Sequence, residues 1–184
     1  MNILLIDDNQ DQMVITQRIL TKIDPSWHLD WASNAKEGLD KIKKSQYSAI
    51  LCDYRLPDLS GIEVLKLLRQ EGNECPFIIV TSMGSERLAA EAIKLGAYDY
   101  VVKDASYEVL LPEIIQQSIE RHQEKIKILR LEKERNAAME ALQQEKASLE
   151  SINKIMMDRE DRIMELKKKV NALLKEMGKP PEYD

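Results

Sequence analysis

Five polar residues stand directly after four short apolar runs, at points where buried strands are expected to end. They are Asp7, Asp8, Asp53, Thr81 and Lys103. Carboxylates crowded at one edge repel one another and need a cation, and a small site with hard oxygen ligands suits Mg²⁺. A hydroxyl and an ammonium beside them would hold a tetrahedral oxyanion. The combination predicts a site at which a phosphoryl group is placed on a carboxylate.

The apolar runs alternate with amphipathic segments, which predicts five strands and five helices. Strands are expected over residues 3–6, 27–31, 47–52, 77–80 and 98–102. The helices between them begin after capping residues such as Asn9, Asn34 and Ser85. This alternation gives βαβ units and a parallel, doubly wound α/β sheet. Ligands bind at the carboxyl edge of such a sheet, where the five polar residues would meet.

These residues resemble the receiver domain of bacterial two-component response regulators, over residues 1–121. The resemblance rests on the acid pair Asp7-Asp8, on Asp53 with the turn Leu56-Pro57-Asp58-Leu59-Ser60-Gly61, on Thr81-Ser82 and on Lys103. It implies a flavodoxin-like (βα)5 fold with the strand order 2-1-3-4-5. It also implies a cytoplasmic phosphoacceptor switch with only slow autodephosphorylation, and not an enzyme that acts on separate substrates.

The resemblance implies that Asp53 accepts a phosphoryl group from a sensor histidine kinase or a phosphotransfer protein. Mg²⁺, or Mn²⁺, is then expected on Asp8, Asp53 and the backbone carbonyl of Arg55. Asp7 is expected to act on the metal mainly through a water molecule.

Four further roles follow from the same resemblance. Lys103 is expected to pair with Asp53 or with its phosphate, and the Thr81 hydroxyl to bind that phosphate. Tyr100 matches the aromatic switch residue, which is expected to turn inward when Thr81 moves. Arg55 and Met83 are expected near the entrance of the site, where a side chain alters the rate of dephosphorylation.

Composition limits the other classes of function. The net charge is −5, and the acidic residues concentrate in the first 120 residues, so no basic patch for nucleic acid is expected. No apolar run approaches the ~20 residues that span a membrane. Cys52 and Cys75 lie beside strands without metal-site spacing, which predicts buried free thiols and a reducing compartment.

Residues 106–177 contain one proline, Pro112, and no glycine. Good helix formers dominate this segment, so it is predicted to be one helix of about 72 residues, or ~108 Å. Gly178-Lys179-Pro180-Pro181 is the predicted stop, and residues 178–184 form a short tail.

Apolar residues recur along this helix at spacings of three and four, which is typical of a coiled-coil seam from about residue 122. They are Ala138, Leu142, Leu149, Ile152, Met156, Ile163, Leu166, Val170, Leu173 and Met177. Glu145 and Arg159 interrupt the seam, and Ile119, His122, Ile126 and Leu129 follow another frame. The pattern predicts a homodimer, expected to be parallel with the antiparallel form left open. A solvated single helix is the alternative.

Three other functions compete with a phosphorylated receiver. A scaffold would use the coiled coil for dimerisation and the receiver only for docking, and it would not need the full set of polar residues. A haloacid-dehalogenase-type phosphatase needs a second Asp two residues after its nucleophile, where this chain has Arg55. A DNA-binding regulator is disfavoured because no helix-turn-helix follows the receiver.

Overall fold

The computed structural model describes residues 1–82 and 84–183, so the expectation for Met83 lies outside the described residues. Strands and helices alternate along the whole first part of the chain. In order, the elements are β1 (Asn2–Ile6), α1 (Gln10–Ile23), β2 (His28–Ala32), α2 (Ala35–Lys44), β3 (Ala49–Asp53), α3 (Gly61–Gln70), β4 (Phe77–Thr81), α4 (Glu86–Lys94), β5 (Asp99–Val102) and α5 (Tyr107–Glu176).

The strands form one parallel sheet in the order β2-β1-β3-β4-β5. This confirms the predicted flavodoxin-like architecture. In the centre of the sheet Leu5 of β1 lies opposite Leu51 of β3, and Leu51 lies opposite Ile78 of β4. The strand order reverses between β1 and β3, and such a reversal opens a crevice at the carboxyl ends of the strands.

Both faces of the sheet are buried, as expected for continuous apolar strands. Leu5 and Leu51 pack on one face with side chains of α1 and of the first part of α5. Leu4 and Ile50 pack on the other face with side chains of α2, α3 and α4. The central strands are therefore fixed from both sides, and their last residues are held in a rigid frame.

Side-chain caps start the helices, and Asn9 and Asn34 are among the predicted ones. Asn9 accepts from the backbone N–H of Asp11, and Asn34 accepts from that of Glu37. Ser60 forms a reciprocal capping box with Glu63 at the start of α3. Each cap satisfies a backbone donor that the helix leaves without an internal partner.

Three of the predicted strands begin later than expected. The fifth begins at Asp99 and not at Tyr98, whose N–H donates to the carbonyl of Phe77. The second begins at His28 and not at Trp27, because Trp27 packs in the core before the ladder with β1 begins. The third begins at Ala49 and not at Tyr47, whose hydroxyl donates to Asp30 at 2.6 Å outside the ladder. Cys52 is a buried free thiol as predicted, whereas Cys75 is only partly buried.

Polar side chains near residue 122 of α5 contact residues beside the edge of the sheet. His122 Nδ1 and the Tyr98 hydroxyl are 2.8 Å apart, and their rings meet edge to face. Lys125 pairs with Glu74 at 2.9 Å. Burial, together with the charge of Lys125, lowers the pKa of His122 below its ordinary value of 6.5. The neutral imidazole is therefore the form that this contact favours.

The helix α5 continues without a break to Glu176, which confirms the predicted long C-terminal helix. The chain divides into two compact units, Met1–Lys127 and Ile128–Asp184. In the second unit the apolar seam is exposed to solvent, with Leu142 at 66% and Ile152 at 50% exposure. No helix in the described part of the chain has the length and apolarity needed to cross a membrane.

The second unit ends in a compact turn. Gly178 has a φ of 71°, and the N–H of Lys179 donates to the carbonyl of Leu174 at 2.9 Å. These features close the helix at the predicted stop. The chain then reverses, and the side chain of Asn171 accepts from the backbone N–H groups of Glu182 and Tyr183.

Candidate functional site

The carboxyl edge of the sheet brings two acids and one base together. Asp7 follows β1, Asp53 is the last residue of β3, and Lys103 follows β5. The Nζ atom of Lys103 lies 2.7 Å from Asp7 Oδ2 and 2.5 Å from Asp53 Oδ1. Residues 46 to 96 positions apart in the sequence thus share one hydrogen-bonded cluster. The convergence follows from the parallel sheet, which places the ends of these strands side by side.

All three charged groups are withdrawn from solvent. The side chain of Asp7 is 1% exposed, that of Asp53 is 11% exposed and that of Lys103 is 17% exposed. Burial raises the pKa of Asp7, against the lowering effect of its hydrogen bond to Lys103. Burial also opposes the charge on Lys103, but its bonds to Asp53 and Asp7 outweigh this and raise its pKa. The cluster therefore holds two buried carboxylates and one ammonium, which leaves negative charge uncompensated.

Backbone groups fix the orientation of Asp53. Its Oδ2 atom accepts from the N–H of Arg55 at 2.7 Å. The next residue, Tyr54, donates its N–H to the carbonyl of Val80 and accepts from the N–H of Gly61. A Cβ atom on Gly61 would lie 2.7 Å from the carbonyl oxygen of Asp53, so only glycine fits there. The loop after β3 therefore packs closely against the backbone of Asp53.

Residues of β2 form hydrogen bonds with the backbone of Asp7. The indole N–H of Trp31 donates to the carbonyl of Asp7 at 2.7 Å, and the N–H of Asp7 donates to the carbonyl of Ala32 at 3.0 Å. The Oδ1 atom of Asp7 accepts from the N–H of Asn9 at 3.0 Å. Sequence reasoning missed Trp31, because a bond between residues 24 positions apart leaves no periodic signal.

The remaining predicted site residues lie around this cluster. Thr81 is the buried last residue of β4, and its carbonyl accepts from the N–H of Lys103 at 2.7 Å. Tyr100 is half-buried on β5 and packs against the core on the side of α2, α3 and α4. Asp8 is exposed. Among residues 1–82 and 84–183, no three acidic, Cys or His side chains are arranged as ligands of one metal ion.

The chemistry of the donors nevertheless fits a small divalent cation. Asp7, Asp8 and Asp53 offer carboxylate oxygens, and the single ammonium of Lys103 offsets only part of the charge of the two buried ones. Hard oxygen ligands with excess negative charge are the set that Mg²⁺ prefers.

A second acid ties the loop after β3 to the neighbouring helix. Asp58 accepts from the backbone N–H groups of Ala35 and Lys36, at 2.9 and 3.0 Å. These are the first N–H groups of α2, and a carboxylate there is favoured by the helix dipole. Asp58 therefore acts as a cap across the fold, which its place in a turn motif did not predict.

Comparisons with known proteins agree with this geometry. The family model described as response regulator receiver domain matches residues 3–115. The methanogenesis regulatory protein FilR1 of Methanothrix harundinacea is 34% identical over 67% of this chain and 28% of its own length. The chain thus spans less than a third of the length of that relative.

Two solved structures share the fold. The beryllofluoride-activated NtrC4 receiver domain, solved as a dimer, is 28% identical, with a TM-score of 0.59 over 65% of this chain and 97% of that one. The response regulator TrrA from Thermotoga maritima, in complex with Mg²⁺ and beryllofluoride, is 24% identical, with a TM-score of 0.54 over 62% and 96% of the two chains.

Proposed function

Because the chain belongs to the response regulator receiver family, we propose that residues 1–121 form a receiver that is phosphorylated on Asp53. The donor is the phosphohistidine of a sensor histidine kinase or a phosphotransfer protein. The observation that carries the proposal is the ammonium of Lys103 between Asp53 and Asp7, at 2.5 and 2.7 Å. A buried base that bridges two acids at the edge of a sheet has no need to be there for folding alone.

The transfer uses Asp53 as the nucleophile. One of its carboxylate oxygens forms a bond to phosphorus, the bond from phosphorus to the histidine nitrogen breaks, and the imidazole leaves with that electron pair. The N–H of Arg55 holds the carboxylate in a fixed orientation. Lys103 neutralises charge on the oxygens of the phosphoryl group, which is the main electrostatic task in phosphoryl transfer.

The side chains of Asp7, Asp8 and Asp53 and the backbone carbonyl of Arg55 would hold Mg²⁺, or Mn²⁺. The metal supplies positive charge that neutralises the acids and the phosphoryl oxygens. Asp7 belongs to this set because it lies beside Asp53 on the same ammonium, and Lys103 alone does not balance the charge of the two acids.

The switch follows from the phosphate on Asp53. The hydroxyl of Thr81 binds it, and the movement of Thr81 gives Tyr100 room to turn toward the core of the sheet. A small local contact then biases a bistable surface formed by α4, β5 and α5. The receiver acts in the cytoplasm as a switch that loses its phosphate slowly, and it turns over no separate substrate.

The phosphorylation signal is transmitted along α5. The exposed apolar seam of the second unit forms a coiled coil in a homodimer, because a helix with so much exposed apolar surface is stabilised by a partner. The partners of the chain are thus the phosphodonor and a second copy, and neither nucleic acid nor a membrane.

The test is phosphorylation with acetyl phosphate and Mg²⁺ followed by intact-mass measurement. Wild type should gain one phosphoryl group, and Asp53→Asn should gain none. Asp58→Asn is the matched control from the same loop, since Asp58 caps α2 and does not touch Lys103. Equal incorporation in wild type and Asp53→Asn contradicts the proposal. Turnover of p-nitrophenyl phosphate that depends on Asp53 would favour a phosphatase instead.

A further inference from the structure

The seam of the second unit carries charges at positions that distinguish the two orientations of a dimer. Its heptad frame places Ile128, Arg135, Leu142 and the residues at further steps of seven at position a. Leu131, Ala138, Glu145 and the residues at further steps of seven occupy position d. The exposed fractions of Ile128 and Leu131 are 57% and 53%, so the frame covers the start of this unit as well.

A parallel dimer in register would place like charges against each other inside this seam. Arg135, Glu145 and Arg159 would each face the same residue of the partner in the core of the coiled coil. Arg162 at position g would also face Lys167 at position e of the partner. Like charges brought together in an interface are strongly unfavourable, and the parallel dimer would contain five such pairs, three in the core and two symmetry-related pairs at its flanks.

An antiparallel dimer removes all of these contacts at one stagger. When Ala138 lies level with Ile163 of the second copy, each a residue meets a d residue of the other chain. Arg135 then meets Leu166, and Arg159 meets Leu142. Long charged side chains beside leucines carry their charged ends outward to water.

The flanking charges agree with the same stagger. In an antiparallel pair, e positions face e positions and g positions face g positions. Glu132 then faces Lys167, and Glu134 faces Lys169, in both halves of the dimer. No flanking pair within residues 128–176 combines like charges. Lys169 and Glu165 pair within one helix at 2.9 Å. Both are exposed, so this weak pair can be exchanged for a pair between Lys169 and Glu134 of the second copy.

We propose that residues 128–173 pair as an antiparallel coiled coil with a second copy of this chain, with Ala138 level with Ile163 of the partner. The inference rests on the proposed homodimer and adds its orientation and register. The apolar spacing of threes and fours is the same in both directions and does not choose between them, so the charges decide against the parallel arrangement that was first expected.

Disulfide cross-linking tests the orientation. The full chain carrying both Ala138→Cys and Ile163→Cys should form disulfide-linked dimers under mild oxidation. The single variants Ala138→Cys and Ile163→Cys are the matched controls and should give at least fivefold less dimer. Wild type, in which Cys52 is buried and Cys75 partly buried, sets the background. Efficient cross-linking of the single variants would show that the antiparallel register is wrong, whereas the proposed homodimer would still hold.

Charge reversal tests the register independently. Glu134→Lys should weaken the dimer several-fold in sedimentation, and the double variant Glu134→Lys/Lys169→Glu should restore it. In a parallel dimer these positions do not meet, so no rescue would occur and the inference would be wrong. A monomer in every variant, wild type included, would instead remove the proposed dimer itself.

Discussion

Replacement of Asp7 by Asn should stabilise the metal-free receiver while it weakens the site. Asp7 and Asp53 each lie close to the same Nζ atom, at 2.7 and 2.5 Å. Their nearest oxygens are therefore at most about 5 Å apart, where two like charges repel by about 3 kcal/mol at an effective dielectric constant of ~20. Asn removes this repulsion and the burial cost of the carboxylate, and it loses the attraction to Lys103.

We expect the free energy of unfolding to increase by about 1–2 kcal/mol, as is common when a functional charge is removed from a buried site. For a domain of this size, the midpoint of thermal unfolding should rise by roughly 4–8 °C. The direction follows from the pKa of Asp7, which burial raises. An ionised group with a raised pKa destabilises the fold above that pKa, and the cost disappears as the pH falls through it.

Scanning calorimetry in EDTA at neutral pH is the assay, with a repeat in excess Mg²⁺. Mg²⁺ should raise the midpoint of wild type and change that of Asp7→Asn much less, since the stabilisation by a ligand grows with the logarithm of its concentration divided by its dissociation constant. Asp40→Asn, an exposed position on α2, is the control. A lower midpoint for Asp7→Asn in EDTA would refute the reasoning that the pocket carries uncompensated negative charge.

Three smaller perturbations test other parts of the account. Gly61→Ala should cost about 1–3 kcal/mol in urea unfolding, because its Cβ meets the carbonyl of Asp53 at 2.7 Å; no loss would contradict the tight loop. Trp31→Phe removes the donor to the carbonyl of Asp7 and should cost about 1 kcal/mol and weaken Mg²⁺ binding in calorimetric titration; unchanged binding would limit Trp31 to packing. The lowered pKa of His122 makes stability fall as the pH drops through 6.5, and His122→Gln should flatten that part of the stability profile.

The alternating pattern predicted a parallel sheet and the meeting of acids and base, because parallel strands bring distant strand ends to one edge. The strand order was implied by the resemblance to receiver domains. The sequence could not predict which contacts hold the site in place. Trp31 reaches the carbonyl of Asp7, and Asp58 caps α2, only because β2 and α2 lie beside the loops after β1 and β3. Such bonds depend on register and side-chain reach, and a one-dimensional pattern contains neither.

The strand boundaries show the same limit. Tyr47 extends an apolar run and so was predicted to belong to β3, but its hydroxyl turns to Asp30 and the ladder starts at Ala49. The long helix was the opposite case. Helix propensity and the absence of glycine decide it locally, so its predicted bounds differ by one residue at each end from Tyr107–Glu176.

The most direct measurement is the chemical location of the phosphoryl group after reaction with acetyl phosphate and Mg²⁺. Reduction with borohydride converts an aspartyl phosphate to homoserine, which peptide mass spectrometry places on one residue. We expect homoserine at position 53 and at no other acid. Homoserine at Asp7, Asp8 or Asp58, or unmodified Asp53 in a protein that has taken up phosphate, would contradict this expectation.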